Sequence, residues 1–295
     1  MLRKSTFMGK GIKMAVRIIT DSGCDIEPLE ANQLGLTIIP LKTMFGEEEF
    51  LDGVNISHNQ FFEKLIESEQ IPTTSQATPF EYEEKFKEVK AAGDTAVCIT
   101  ISSKLSGCYQ SANIALDGYE DVVTVVDSNN VCIGQQILTL YACILRDMGK
   151  SAKEIAQELE EKKNRIRLIA LLDTLEYLKK GGRISAAAAV AGAVLSIKPV
   201  IAIENGEVVV LGKARGSKNG NNMLKEMVKK ESGIDFEMPH TLAYSGLSDA
   251  LLKKYMEDSK ELYEGKVDVL RISTIGSAIG THVGPGAIAF AFFTK

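Results

Sequence analysis

A serine–glycine turn between a strand and a helix is the segment of this chain best suited to hold an anion. The turn, Ser106-Gly107, follows residues 95–101, an apolar run rich in β-branched side chains. The segment after it has helical character, so the start of a helix would present free backbone N–H groups beside a hydroxyl. The partial positive charge at that end of a helix also favours a negative group. Three interpretations of Ser106 stay open here: a helix cap, an anion cradle and a nucleophile.

Three further polar turns carry groups of the kind that hold a carboxylate or a phosphate. Thr74 stands in the hydroxyl cluster of residues 73–76, Arg183 follows a pair of glycines, and His282 stands in a Gly/Pro-rich loop at 281–286. Hydroxyls, a guanidinium and an imidazole supply the hydrogen bonds that such an anion needs. Taken singly, each of these residues is better explained as part of a turn or of the surface. A binding site therefore depends on the fold bringing the four turns together.

Catalytic chemistry has a weaker basis in the sequence. The three histidines, His58, His240 and His282, lack metal-ligand spacing, and the chain has no Walker A loop. A triad of Ser106, His282 and an aspartate stays open, although no G-x-S-x-G elbow surrounds the serine. Asp21, after the first predicted strand, could bind Mg²⁺, but capping of its own turn is the simpler interpretation.

Composition limits the class of protein. The chain has 295 residues and a formal net charge of −5, which argues against nucleic acid as a partner. Its five cysteines are odd in number and lack C-x-x-C spacing, so neither a disulfide framework nor a thiolate metal site is indicated, and a reducing cytoplasm fits best. Residues 1–13 lack the apolar stretch of a signal peptide and are expected to be a disordered extension. No apolar stretch reaches the ~20 residues that span a bilayer.

The order of predicted elements divides the chain near residue 165. Strands and helices alternate up to that point, which predicts an α/β domain at 14–165 with a doubly wound, mainly parallel sheet. In such sheets ligands bind beyond the carboxyl ends of the strands, where Ser106 lies. Residues 166–295 carry a hairpin signal at Asn205-Gly206 and two closing strands, which predict a second α/β domain with a mixed or antiparallel sheet. The ligand would lie between or beside the two domains.

Individual elements are predicted from their boundary residues. Ser57, Thr78 and Ser151 each precede a capping box. Asp127-Ser128 is expected to cap a long helix that ends at Gly149, and residues 267–272 are expected to form a strand. The alanines at 186–189 are expected to lie in a helix.

The polar turns, together with further segments in the same order, resemble the DegV family. The resemblance runs from about Met14 to the C-terminus, and the block at 173–185 is its most specific part. The matching segments are residues 18–22, 73–76, 105–112, 173–185, 197–199, 214–216 and 282–287. One departure is Cys108, where the family commonly has threonine after Ser-Gly, so one hydroxyl is lost there.

The resemblance implies a two-domain α/β protein that binds a long-chain fatty acid such as palmitate or oleate. By matching motif, Thr74 and Ser106 would bind the carboxylate, and Arg183 and His282 would belong to the surrounding polar network. FakB-like bacterial members present the fatty acid to a separate, dihydroxyacetone-kinase-like fatty acid kinase, which makes the acyl phosphate for phospholipid synthesis. Arg215 would then be a candidate for docking that partner. The resemblance implies no cofactor and no catalysis, and it allows transient contact with a membrane.

The energetics of that hypothesis are reasonable. Burial of a sixteen-carbon tail contributes roughly 12 kcal/mol gross at ~0.8 kcal/mol per methylene. Ordering the tail and losing translational freedom offset much of this. The alternative hypothesis is a serine-dependent hydrolase, or an acyl or phosphoryl transferase, that uses Ser106 and His282.

Overall fold

The computed structural model describes residues 14–184 and 197–295. The extension expected at 1–13 and the helix expected at 186–189 lie outside the described residues. The strands are β1 Val16–Asp21, β2 Leu36–Ile39, β3 Lys42–Phe45, β4 Glu48–Leu51, β5 Thr73–Ser75, β6 Thr95–Thr100, β7 Val123–Asp127, β8 Ile166–Leu171, β9 Ile197–Glu204, β10 Glu207–Arg215, β11 Thr241–Tyr244, β12 Ile272–Thr274 and β13 Ile288–Phe293. The α-helices are α1 Pro28–Leu34, α2 His58–Glu67, α3 Pro79–Ala92, α4 Cys108–Ala115, α5 Cys132–Asp147, α6 Ala152–Lys162, α7 Glu176–Lys180, α8 Gly216–Lys230, α9 Ala250–Asp258 and α10 Ser277–Val283.

The first sheet is parallel throughout, as the alternation of strands and helices predicts. Its order is β2-β1-β6-β7, and all three pairings are parallel. From β1 the chain moves to β2 on one side and later to β6 on the other. The strand order therefore reverses between β1 and β6, which is where doubly wound sheets form a ligand crevice.

The second sheet is mixed, which confirms the predicted fold class. Its order is β10-β9-β8-β13-β11-β12, with antiparallel pairings except between β11 and β12. The hairpin predicted between β9 and β10 is present, with φ of 51° at Asn205 and 83° at Gly206, as a type I′ turn requires. All six strands follow residue 165, and the domain boundary proposed there stays a prediction.

Three local predictions were wrong. Residues 73–76 were expected to form a turn, but Thr73–Ser75 is strand β5, paired with β3 in a small antiparallel sheet of β4, β3 and β5. Helix α5 begins at Cys132 rather than after Ser128, because the Ser128 hydroxyl bonds the backbone of Asn130 instead of capping a helix. Of the strand expected at 267–272, only Ile272 lies in a strand: β12 is Ile272–Thr274, and these are the residues that pair with β11.

The start signals of three helices are confirmed. Ser57, Thr78 and Ser151 each accept a hydrogen bond from a backbone N–H in the first turn, and the glutamine or glutamate three residues later bonds back. Among the described helices, none has the length and apolar character needed to cross a membrane.

The two faces of the second sheet carry side chains of different size. On β13 the large residues Ile288, Phe290 and Phe292 belong to the core that includes residues of α8 and α9. The alternating alanines, Ala289 and Ala291, face the other way and join the core shared with the first sheet. Helix α5 packs between the two sheets. Small side chains on this inner face leave space between the sheets.

Candidate functional site

A largely apolar cavity lies between the two sheets. Its volume is about 90 Å³. Its floor is the inner face of the second sheet, where Ala170 of β8 lies opposite Ala289 of β13 in the antiparallel register. The apolar lining is completed by Leu41, Leu105, Val131, Cys132, Leu168, Leu172, Leu178, Ile201, Ile203, Val208, Ile275, Ala278, Ile279, Val283 and Ala287.

Helix α10 forms one wall of this cavity. The residues of α10 that line the cavity are Ala278, Ile279, His282 and Val283, which share one face of the helix by their spacing. Ile275, just before the helix, also lines the cavity. His282 was expected in a Gly/Pro loop, and the structure corrects this: the helix continues to Val283, and the loop begins at Gly284. The helix holds the imidazole in a fixed direction toward the cavity, which a loop would do less well.

One end of the cavity is polar, and four of the predicted site residues lie there. Thr74, Ser106, Arg183 and His282 all line the cavity, together with Ser75 and Gln76. Arg215 is not among the described residues that line it; the side chain is exposed at the end of β10, just before α8. The structure therefore brings together the four residues predicted for the head group and places the docking candidate elsewhere.

His282 and Thr74 form the central hydrogen bond of the polar end. His282 Nε2 lies 2.8 Å from Thr74 Oγ1, while His282 Nδ1 is buried with no partner among the described residues. A buried N–H without a partner is rarer than a bare acceptor, so the proton belongs on Nε2, which donates to Thr74. The Thr74 hydroxyl is then available to donate its own proton into the cavity.

Burial keeps His282 neutral. Burial, and next the positive charge of Arg183, lower the pKa of His282 from its ordinary 6.5 to about 4. Gly181 packs against the bare nitrogen so closely that a Cβ there would lie 2.1 Å from Nδ1. At neutral pH the four residues thus contribute one positive charge, that of Arg183, which matches a single carboxylate.

Arg183 ties two of the polar turns together. Its Nε donates to the carbonyl of Leu105 at 3.1 Å, and its Nη1 donates to the carbonyl of Gly181 at 2.7 Å. The first bond fixes the turn that carries Ser106, and the second fixes the glycine that packs against His282. Arg183 therefore supplies the positive charge of the polar end and, through these two hydrogen bonds, also holds its turns in place.

Ser106 lies just before the N-cap of its helix, and its hydroxyl accepts a hydrogen bond at 3.4 Å from the backbone N–H of Cys108, the first residue of that helix. The N-cap of α4 is Gly107, and the Ser106 hydroxyl donates to Cys108 Sγ at 3.2 Å. Sulfur is a weak acceptor, so Ser106 would lose little by turning this hydrogen bond toward a carboxylate. Burial raises the pKa of the Cys108 thiol to about 12, which keeps that residue uncharged beside the site.

Asp21 caps its own turn and is held by buried hydrogen bonds. Its carboxylate is fully buried and accepts hydrogen bonds from Gly23 N, Ile101 N and Gln135 Nε2, so the turn-capping interpretation holds. Burial raises the pKa of Asp21 to about 6 despite these bonds. Within residues 14–184 and 197–295, no group of three or more His, Cys, Asp or Glu side chains could hold a metal ion.

The geometry gives the hydrolase alternative little support. Ser106 bonds Cys108, whereas His282 bonds Thr74. In the described part of the chain, no carboxylate bonds His282 Nδ1 to orient the ring as a general base. The nucleophile–base–orienter arrangement of a hydrolase is thus absent from the described residues.

The lowered pKa of His282 predicts a loss of stability in acid. Between pH 6.5 and 4 the unfolded chain binds a proton at this residue and the folded chain does not, so stability falls as the pH falls through this window. The shift from 6.5 to about 4 corresponds to up to about 3 kcal/mol. We expect His282→Gln, which cannot titrate, to show a shallower decline than the unsubstituted protein in urea unfolding at pH 4 to 7.

The difference between those two pH profiles is the quantity to measure. Asp21, whose pKa is raised, makes stability fall as the pH rises through part of the same window, but it contributes equally to both proteins. Parallel profiles for the two proteins would contradict a buried, neutral His282.

Sequence reasoning assigned no role to two features of the site. Gln76 lines the cavity and donates to Ser111 Oγ at 2.8 Å; its side chain needs Gly107, where a Cβ would lie 1.9 Å from Gln76 Oε1. The alanine floor was also missed. Its signal was the alternation of alanines with large side chains in residues 287–292, which indicates one crowded and one open face.

Comparison with known proteins places this architecture in a recognised group. A family model described as "Uncharacterised protein, DegV family" matches residues 15–295. A DegV domain-containing protein of Caldanaerobacter subterraneus subsp. tengcongensis is 33% identical over 283 residues, which cover 95% of this chain and 99% of that protein. A solved DegV family protein from Thermus thermophilus, described by its fatty acid binding, has a TM-score of 0.85 at 28% identity and covers 96% of this chain and 100% of its own. A stearic acid-binding protein from Eubacterium ventriosum has a TM-score of 0.84 at 26% identity, with coverage of 95% and 98%.

Proposed function

This chain belongs to the DegV family, and from that premise we propose that it is a non-catalytic protein that binds one long-chain fatty acid. The acyl tail occupies the cavity between the sheets, and the carboxylate binds at the polar end. Thr74 and Ser106 donate to the carboxylate, Arg183 balances its charge, and His282 orients Thr74.

The main support for the proposal is that four residues far apart in the sequence lie together at the polar end of one apolar cavity. Thr74, Ser106, Arg183 and His282 come from four separate segments of the chain, yet all line the same space. The rest of the lining is almost wholly aliphatic, which suits a methylene chain. A polar ligand of similar volume would leave its own hydrogen-bonding groups unsatisfied along this lining.

The polar end also supports presentation of the head group to a partner. An adjoining cavity shares Thr74, Arg183 and His282 with the first and is otherwise lined by residues 69–73 with Lys180 and Gly181. Glu69 and Gln70 are exposed there. The carboxylate would thus lie next to the surface while the tail stays buried. We propose on this basis that a fatty acid kinase phosphorylates the bound carboxylate, in the cytoplasm, and that the acyl phosphate supplies phospholipid synthesis.

Purification from a bacterial host tests the proposal directly. We expect the protein to carry about one equivalent of a C16 or C18 fatty acid, detected by organic extraction and mass spectrometry. After delipidation, palmitate or oleate should reload the protein, and the loaded form with ATP and a fatty acid kinase should yield acyl phosphate. A protein that is isolated empty and cannot be loaded would refute fatty acid binding; loading without phosphorylation would refute only the kinase partner.

A further inference from the structure

Helix α10 has a second face that does not line the cavity and that packs on aromatic rings. Phe61 and Phe62 of α2 are fully buried there, with ring centroids 5.0 Å apart. Phe45 packs on Phe61 at 5.9 Å. These rings belong to a small cluster, the aromatic cluster, that also contains Ile56 and Leu65. Helix α10 therefore separates the aromatic cluster from the cavity.

Gly280 makes the contact between α10 and the aromatic cluster. A Cβ at this position would lie 2.5 Å from Phe61 Cε1 and 3.0 Å from Phe62 Cζ. Gly280 is a helical residue without positive φ, so the backbone does not require glycine. What requires it is the close approach to the rings. Because residue 280 has no side chain, α10 can pack closely on the aromatic cluster and lie farther from the floor of the cavity.

The rings cannot yield to an added methyl group. Phe61 is 0% exposed and is held between two other phenylalanines. Close-packed interiors transmit such a displacement rather than absorb it. A methyl group at 280 would therefore push α10 away from the rings, toward the side on which Ala278, Ile279 and Val283 line the cavity.

The ends of α10 are fixed, so the displacement would fall on its middle. At the start, Asp25 Oδ1 accepts from Gly276 N at 2.8 Å, and Asp52 Oδ1 accepts from Ser277 N at 2.7 Å. At the end, Ser245 Oγ donates to the carbonyl of Gly284 at 2.6 Å. The part of the helix that remains free to move is the part that lines the cavity.

We infer that Gly280, through its contact with Phe61, sets the width of the acyl cavity and so determines which acyl chains fit. The inference rests on the proposed fatty acid function. A straight saturated chain has a narrow cross-section along its whole length, whereas a cis double bond bends the chain and needs more width. A displaced α10 should therefore exclude a cis-unsaturated chain before it excludes a saturated chain of equal length.

The test compares stearate with oleate, which differ only in the double bond. In Gly280→Ala, we expect the oleate affinity to fall about tenfold more than the stearate affinity, the effect of roughly one misplaced methylene. Phe61→Leu in the same chain should restore the ratio, since it removes the ring edge that the new methyl meets. A general loss of stability would lower both affinities together and leave their ratio unchanged.

Each outcome of this experiment has one meaning. If the unsubstituted protein binds neither acid, the proposed function fails; if it binds them and Gly280→Ala keeps the same ratio, the inference about width fails. If Gly280→Ala does not fold, Phe61→Leu alone carries the test. With the ring edge removed, α10 can move toward the aromatic cluster and widen the cavity, so the affinity for oleate should rise relative to the affinity for stearate. An unchanged ratio in that variant overturns the inference.

Discussion

Leucine in place of Ala289 should weaken fatty acid binding while the protein stays folded. Ala289 lies on β13 at the centre of the cavity floor, opposite Ala170. In the empty protein, the larger side chain extends into open space and so meets little resistance. In the complex, it occupies the path of the acyl chain. Overpacking of that kind costs about 1–3 kcal/mol, and we expect the affinity for palmitate to fall by roughly tenfold to a hundredfold.

The matched control is the same substitution on the opposite face of the sheet. Ala202 of β9 points into the core that includes residues of α8 and α9, away from the cavity. We expect Ala202→Leu to lower the melting temperature and to keep its affinity for fatty acid, whereas Ala289→Leu should bind fatty acid more weakly with little change in melting temperature. Calorimetric unfolding and titration with palmitate, both on delipidated protein, measure the two effects. An unchanged affinity of Ala289→Leu for palmitate would place the acyl chain elsewhere.

The second large effect is expected at the polar end. In the combined variant Thr74→Val with Ser106→Ala, both hydroxyls that would donate to the carboxylate are removed. Valine keeps the shape of threonine, so β5 and its pairing with β3 should persist. A hydrogen bond to a charged group contributes about 1.5–3 kcal/mol. Loss of two such bonds should weaken palmitate binding at least about a hundredfold, as measured by titration of delipidated protein.

A matched pair of hydroxyls nearby provides the control. Thr73 is next to Thr74, and Ser103 lies three residues before Ser106; both are exposed and are not among the residues that line the apolar cavity between the sheets. Thr73→Val with Ser103→Ala should therefore bind palmitate as the unsubstituted protein does. Equal affinities of the two double variants for palmitate would show that the carboxylate does not bind at this end of the cavity.

Together the two experiments separate the contributions of tail and head group. The alanine floor should govern whether a chain of methylenes can enter, because the burial of apolar surface is the main driving force. The hydroxyls should govern where the carboxylate lies, because a charged group leaves water only when its hydrogen bonds are replaced. Loss of affinity in both variants, with folding intact, would locate both ends of the ligand.

The sequence by itself determined the elements whose signals are local. The capping boxes at Ser57, Thr78 and Ser151 and the hairpin at Asn205-Gly206 depend on residues within a few positions of each other, and all four are present. The parallel and the mixed sheet followed from the spacing of apolar runs, since that spacing reflects how strands and helices alternate. The polar turns were also visible, because hydroxyls, glycines and arginine stand out against apolar neighbours.

Only the tertiary structure decided that these turns form one site. Thr74 and His282 are separated by 208 positions in the chain, and no local pattern reports a contact at that distance. Residues 73–75 became a strand because β3 offers a partner, and His282 became helical because α10 packs on the aromatic cluster. In each case the energy comes from packing and pairing between distant segments, which outweighs local preference. The width of the cavity is set in the same way, by one glycine against one buried ring.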